Sequence, residues 1–191
     1  VKRRVLLSAA GAGVFFVLDS LHVRLGIWKA MPSTLVPWWY GFFYFLGILA
    51  CAQILRRIED RTRPAARPNL GLDLWVFVAL LVAHALFFRP ELVLTLFSVA
   101  VLGLRLLFFR RPGDLVVAPI LALLEAGVEC VLAKTGHFAY SYASLGPLPL
   151  WHLPFWAALA LSVRGFFLAA DPLPGRESPA RRPETKAEAI R

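Results

Sequence analysis

From Leu74 to Phe109 the chain runs for 36 residues that are apolar except around Arg89-Pro90-Glu91. At 1.5 Å per residue, one helix of that length is far longer than the roughly 30 Å of hydrocarbon in a bilayer, whereas two helices fit. Proline suits a turn or a first helical position, so the stretch divides at Pro90 into two membrane spans. Val5 to Leu21, Pro37 to Leu55, Leu115 to Leu132 and Leu150 to Ala170 have the same character. The expectation is therefore an all-α, polytopic membrane protein, with a six-helix transmembrane domain over residues 1–170. Residues 171–191, rich in Pro, Arg and Glu, offer too little apolar surface to fold and are expected to be a disordered basic tail.

The composition agrees, at 59% hydrophobic and 17% charged residues with a mean hydropathy of +0.65. That is more apolar and less charged than an ordinary soluble domain. A net charge of +9 invites comparison with nucleic-acid binders. The basic residues, however, sit in short connections between apolar runs and form no basic helical face, so no nucleic-acid partner is expected. Fifteen of the 21 Lys and Arg residues fall in the N-terminus, the loop from Arg56 to Asp73, the Arg110-Arg111 turn and the tail. Arg24, Lys29, Arg89 and Lys134 fall on the other side. Arg105 and Arg164 lie near inner helix ends, where they are expected to snorkel. The positive-inside rule then places both termini in the cytoplasm, most simply at a bacterial inner membrane.

The first run follows Lys2-Arg3-Arg4 and so has a second reading as a secretory signal peptide. Asp19 and His22 stand where a small-residue cleavage site would be, which argues against it. Cys51 and Cys130 lie in apolar runs near opposite faces of the membrane, too far apart for a disulfide and without a second cysteine at zinc-ligand spacing. No metal and no cofactor is expected.

The first and last helical hairpins echo each other. Asp19 is followed seven residues on by Gly26-Ile27-Trp28 and then by Pro37-Trp38-Trp39. Glu129 is followed seven residues on by Gly136-His137-Phe138 and then by Pro149-Leu150-Trp151. Helices 1–2 and 5–6 would thus form a parallel repeat of a kind some transporters use; equally, Gly, Pro and Trp gather in any interfacial loop.

Six polar residues fall in the outer half of these spans: Asp19 and His22 on span one, His84 on span three, Glu125 and Glu129 on span five, and His152 opening span six. Asp19 and His22 are three apart and Glu125 and Glu129 four apart, so each pair shares a helix face. Three carboxylates left ionised against lipid would cost on the order of 8–10 kcal/mol, so they must pair, protonate or face protein or water. Three explanations compete: an interhelical hydrogen-bond network, a pocket for a lipid or isoprenoid head, and a catalytic or metal-binding group. Glu125 and Glu129, with Asp19, are the acid and base candidates for the catalytic case. Tyr140, in the loop Gly136 to Tyr142, is read as part of an interface belt or of a loop folded back over a pocket.

The sequence resembles the insulin-induced-gene (Insig) family and its bacterial and plastid relatives over most of Leu18 to Phe167. The residues that carry the likeness are Asp19-Ser20-Leu21-His22, the tryptophan pair opening span two, and Phe108-Phe109-Arg110-Arg111-Pro112-Gly113. The most distinctive are Gly136-x-Phe138-x-Tyr140 followed by Trp151-His152-Leu153-Pro154. The resemblance implies a six-span bundle that binds an amphiphile, with both ends cytoplasmic. Animal members bind oxysterols and retain a sterol-sensing partner, through an aspartate-arginine pair where this chain has Phe109-Arg110-Arg111; that departure leaves the partner role unsupported. The stretch Gly136 to Pro149 is also similar to the carotenoid hydratase family of membrane enzymes.

The leading expectation is a non-enzymatic bundle that binds a membrane lipid or isoprenoid, with Asp19, His22, Trp28, Trp38, Trp39, His84, Glu125, Glu129, Tyr140, Trp151 and His152 around it. An isoprenoid-modifying enzyme and a small transporter are the alternatives, and any of the three is compatible with a homo-oligomer.

Overall fold

The computed structural model describes residues 2–31, 35–61 and 69–170, so the expected tail and much of the second connection lie outside the described residues. Six helices carry the chain: α1 (Lys2–Leu25), α2 (Trp39–Arg61), α3 (Leu70–Phe87), α4 (Glu91–Phe108), α5 (Asp114–Lys134) and α6 (His152–Ala170). Each is long and apolar enough to cross a membrane. The break at Arg89-Pro90-Glu91 is where the sequence puts it, although Pro90 is the N-cap of α4 and not its first turn. Asn69 caps α3, its side-chain oxygen accepting from the Leu72 amide at 3.1 Å. Such a cap satisfies one of the amides a helix start leaves unpaired.

α6 is the central helix. Half of its apolar window is buried, and it packs against α3, α4 and α5. On one side Phe155, Ala158 and Leu159 meet Val76, Leu80 and Ala83 of α3 and Leu94 and Val101 of α4. On the other, Ala157, Ala160 and Leu161 meet Val117, Ala118, Leu121 and Ala122 of α5, with Leu55 of α2. Alanines at these positions bring backbones close, which is how helices associate where no hydrophobic driving force separates protein from lipid. The α1–α2 hairpin docks on this four-helix group through Phe15, which stacks on Trp156 at 5.9 Å between ring centroids. The large apolar side chains left exposed, such as Leu6, Leu74, Leu96, Leu107 and Leu123, are those a lipid-facing surface requires.

The connections α1–α2 and α5–α6 contain what hydropathy could not reveal, two short strands, β1 (Trp28–Ala30) and β2 (Phe138–Tyr140). α1 and α5 end identically. Gly26 (φ 72°) and Gly136 (φ 75°) take the left-handed conformation, which glycine adopts without steric cost. Their amides reach Val23 O and Ala133 O at 3.1 Å, and those of Ile27 and His137 reach His22 O and Leu132 O at 2.9 Å, the bonding pattern of a Schellman cap. The strands then pair antiparallel as Trp28 with Tyr140, Lys29 with Ala139 and Ala30 with Phe138. Lys29 and Ala139 each stand three residues past their glycine. The flanking bonds are reciprocal too: Met31 N donates to His137 O at 2.9 Å and Ser141 N to Ile27 O at 3.0 Å. Locally, the two connections are related by a two-fold axis through the Lys29–Ala139 pair.

Candidate functional site

Beneath this paired cap the polar residues of four helices converge. His152, fully buried in the first turn of α6, brings Nε2 to within 2.6 Å of Glu129 Oε2 on α5. The same oxygen accepts the Tyr140 hydroxyl at 2.6 Å. Tyr140 is therefore no interface-belt residue. Burial pushes its phenol well above the ordinary tyrosine range, and the neighbouring Glu129 carboxylate adds to the effect, so it remains a donor at any physiological pH. Asp19 Oδ1 lies 3.6 Å from His22 Nδ1 one turn on. The His22 ring sits 4.5 Å from that of His84 on α3, which is in turn packed at 4.3 Å against Trp151 and 4.9 Å against Phe155. Glu125 lies within electrostatic range of both Glu129 and Asp19.

These groups share a level but satisfy one another only in part. His84 is 4% exposed, yet neither ring nitrogen has a hydrogen-bond partner among the described residues, and His152 Nδ1 and the Tyr40 hydroxyl are in the same condition. Each such buried group costs about 1–3 kcal/mol when unpaired, and native proteins rarely leave one without a purpose. Tyr40, at the start of α2, was not among the residues expected from sequence. It stacks beside Trp28 and Trp39 and lies within electrostatic range of Asp19 and Glu129. The hairpin echo was the available signal, because matching Pro37-Trp38-Trp39-Tyr40 to Pro149-Leu150-Trp151-His152 sets Tyr40 at the position of His152.

The tryptophans divide. Trp28 and Trp151 are buried in the wall and roof of the cluster. Trp39 is half-buried between the Tyr40 ring at 4.4 Å and His137, which it meets edge-on at 5.5 Å. Trp38 is 82% exposed and stands outside the cluster, at the rim of an open apolar furrow of about 490 Å³. The furrow is lined by Ala9, Ala12, Gly13 and Phe16 of α1 and Gly41 and Phe45 of α2.

A second buried group, at the opposite end of the bundle, overturns the expectation that Arg105 and Arg164 snorkel. Both are at most 2% exposed, as are Asp73 of α3 and Asp114 of α5. Arg111 Nη2 donates to Asp73 Oδ2 at 2.5 Å and Arg105 Nη2 approaches Asp73 Oδ1 at 3.4 Å. Arg164 pairs with Asp114, whose second oxygen accepts the Arg111 amide at 2.7 Å. Arg164 also donates to Pro112 O at 2.6 Å. The network ties α3, α4, α5 and α6 together, and inward-facing pairs are how charge survives at membrane depth. Asp73 and Asp114 immediately precede apolar runs, so sequence alone assigns them to loops.

No family model matches this sequence, and comparison with curated proteins gives no match. Among solved structures, the chain is similar to the crystal structure of MvINS, a mycobacterial Insig homologue from Mycobacterium vanbaalenii, with a TM-score of 0.69 at 20% identity. It is likewise similar to a cross-linked trimer of an MvINS arginine-to-cysteine variant, with a TM-score of 0.71 at 18% identity. Each alignment covers 91% of this chain and 97% of the other. This chain is a six-helix membrane protein with the fold of an Insig homologue.

Proposed function

We propose that the protein binds a lipid or isoprenoid amphiphile whose polar end meets the cluster beneath the β1–β2 cap. The observation that supports this most directly is His84: an imidazole of α3 buried against α1 and α6, without a hydrogen-bond partner among the described residues, facing His22 and the aromatic wall. A polar ligand group there supplies the missing bonds, and the hydrocarbon around it suits the rest of an amphiphile. Among the described residues no Lys or Arg pairs with Asp19, Glu125 or Glu129, which favours an uncharged head over phosphate. The charge distribution supports cytoplasmic termini in a bacterial inner membrane. Assembly of like copies is a natural extension, because the similar MvINS was crystallised as a cross-linked trimer.

The test is native mass spectrometry of detergent-purified protein, followed by lipid extraction. The wild type should retain a defined lipid mass, and His84→Leu should fold yet lose that mass several-fold. A wild type that carries only non-specific lipid, unchanged by His84→Leu, overturns the reading. One feature favours a catalytic variant of it: Glu129, which accepts from Tyr140 and meets His152, stands one turn beyond Glu125 on the same helix face, and two neighbouring carboxyl groups are what acid–base catalysis requires. Chemical conversion of the extracted lipid over time, abolished by Glu125→Gln, would mark an enzyme.

A further inference from the structure

Glu125 stands deepest of the acids in the outer cluster. It lies between Asp114 and Lys134, the two ends of α5, about 16 Å from the first and about 13 Å from the second along the helix, and so close to the middle of the membrane. Each of the other two acids is met by a histidine, Asp19 by His22 at 3.6 Å and Glu129 by His152 at 2.6 Å. Glu125 lies within electrostatic range of both acids, yet it has neither an ion-pair nor a hydrogen-bond partner among the described residues. Nor is this acid layer sealed. Glu125 is half-buried, and Asp19 and Glu129 keep 20% and 14% of their side-chain surface exposed.

An imidazole of the same cluster shares the deficit. His84 is 4% exposed, its ring abuts that of His22 at 4.5 Å, and neither of its nitrogens is bonded among the described residues. A neutral imidazole always keeps one acceptor nitrogen, and an ionised carboxylate only accepts. The cluster therefore offers acceptors in excess, together with one carboxylate that no base of the protein balances. No three acids, histidines or cysteines among the described residues converge closely enough to hold a metal ion. The cation that fits is one that reaches separate acceptors through its own hydrogens.

We infer that Glu125 is the counter-ion of a primary ammonium, the head of an amphiphilic amine, with Asp19 and His84 completing its set of acceptors. The inference rests on the amphiphile reading above and specifies the head. The lack of Lys and Arg partners already sets an uncharged head above phosphate, and one unbalanced carboxylate sets a monocation above both, because an ionisable group at membrane depth requires an opposite charge. A primary ammonium carries three donors and no acceptor, the complement of two carboxylates and an imidazole. A quaternary ammonium has no hydrogen to give and leaves all three unmatched. An alcohol gives one hydrogen and no charge.

The experiment is titration of the full chain, in a neutral detergent, with hexadecylamine, hexadecanol and hexadecyltrimethylammonium, followed by native mass spectrometry. Hexadecylamine should bind one per chain and at least about tenfold more tightly than either of the others, the least that a hydrogen bond to a charged group contributes. Glu125→Gln, which keeps the shape and removes the charge, should weaken the amine about ten- to a hundredfold and leave the alcohol as it was. Glu91→Gln removes an acid at the outer end of α4, outside the cluster, and should change nothing. The comparison of the three probes is made on the wild type, so it decides the matter even where Glu125→Gln fails to fold. Equal binding of the three, or tighter binding of the quaternary cation, overturns the inference. So does an amine affinity that Glu125→Gln leaves unchanged or that Glu91→Gln lowers as much. A wild type that carries a lipid lost in His84→Leu but ignores hexadecylamine keeps the amphiphile reading and sinks the ammonium; one that carries no lipid and binds none of the probes sinks both.

Discussion

Asp73 on α3 lies directly against the bare Cα of Gly165 on α6, so close that a methyl group at Gly165 would overlap the carboxylate and stand 2.9 Å from Arg111 Nη1. Asp73 cannot swing away, because Arg111 holds it at 2.5 Å and Arg105 stands at 3.4 Å. Gly165→Ala should therefore destabilise the bundle by at least the ~1–3 kcal/mol typical of an overpacked core. Gly127 on α5 has nothing within 4 Å of the same methyl position, so Gly127→Ala should be neutral or stabilising. Thermal melts in detergent compare the two, and equal behaviour would disprove the contact.

Removing one partner from the charged network should cost more. Asp114 is bonded to Arg164 and to the Arg111 amide and faces Arg105 at 3.5 Å. Asp114→Ala removes the carboxylate that bonds Arg164 and that Arg105 faces. Breaking such a buried pair costs about 3–5 kcal/mol, and the expected result is loss of the monodisperse peak on size-exclusion chromatography. Wild-type yield and melting temperature in Asp114→Ala would show that the network does not hold the helices.

Two tryptophans separate core from surface. Trp151 is 2% exposed and packs on His84, Tyr140 and Phe155, so Trp151→Ala should cost about 3–5 kcal/mol through cavity formation. Trp38 is exposed at the furrow rim, and Trp38→Ala should change stability by no more than about 0.5 kcal/mol. A melt in which the two variants fall equally would contradict the placement of both side chains.

The sequence discloses the depth of a residue in this fold far better than its direction. All six spans were legible, because hydropathy and the 1.5 Å rise fix how many crossings the apolar runs can make. The layer of Asp19, His22, His84, Glu125, Glu129 and His152 was legible for the same reason, since each lies a countable distance from a helix end. What Arg105 and Arg164 face is an azimuthal question, and no period in those helices answers it; the structure turns both inward onto acids that adjoin the apolar runs. Three-residue strands carry no periodicity either, so β1 and β2 went unseen although the glycines that launch them, Gly26 and Gly136, were already visible as an echo. Tyr40 was lost among interfacial aromatics, from which only its pairing with His152 across that echo distinguishes it.

Orientation is testable at two exposed positions at opposite ends of the bundle. Lys29 lies in β1 on the paired cap and Arg110 follows α4 beside the arginine network. The connections at the Arg110 end, with the termini, hold fifteen Lys and Arg residues against four at the Lys29 end, and cationic loops remain where translocation is costly. With Cys51 and Cys130 both replaced by Ala, so that no native thiol competes, Lys29→Cys should react with a membrane-impermeant maleimide on intact bacterial spheroplasts. Arg110→Cys should react only after permeabilisation. The reverse pattern would invert the protein in its membrane and bring the cluster to the cytoplasmic side, where its amphiphile would be drawn from the inner leaflet. Labelling of both positions without permeabilisation would mean that the charge asymmetry does not set a single topology.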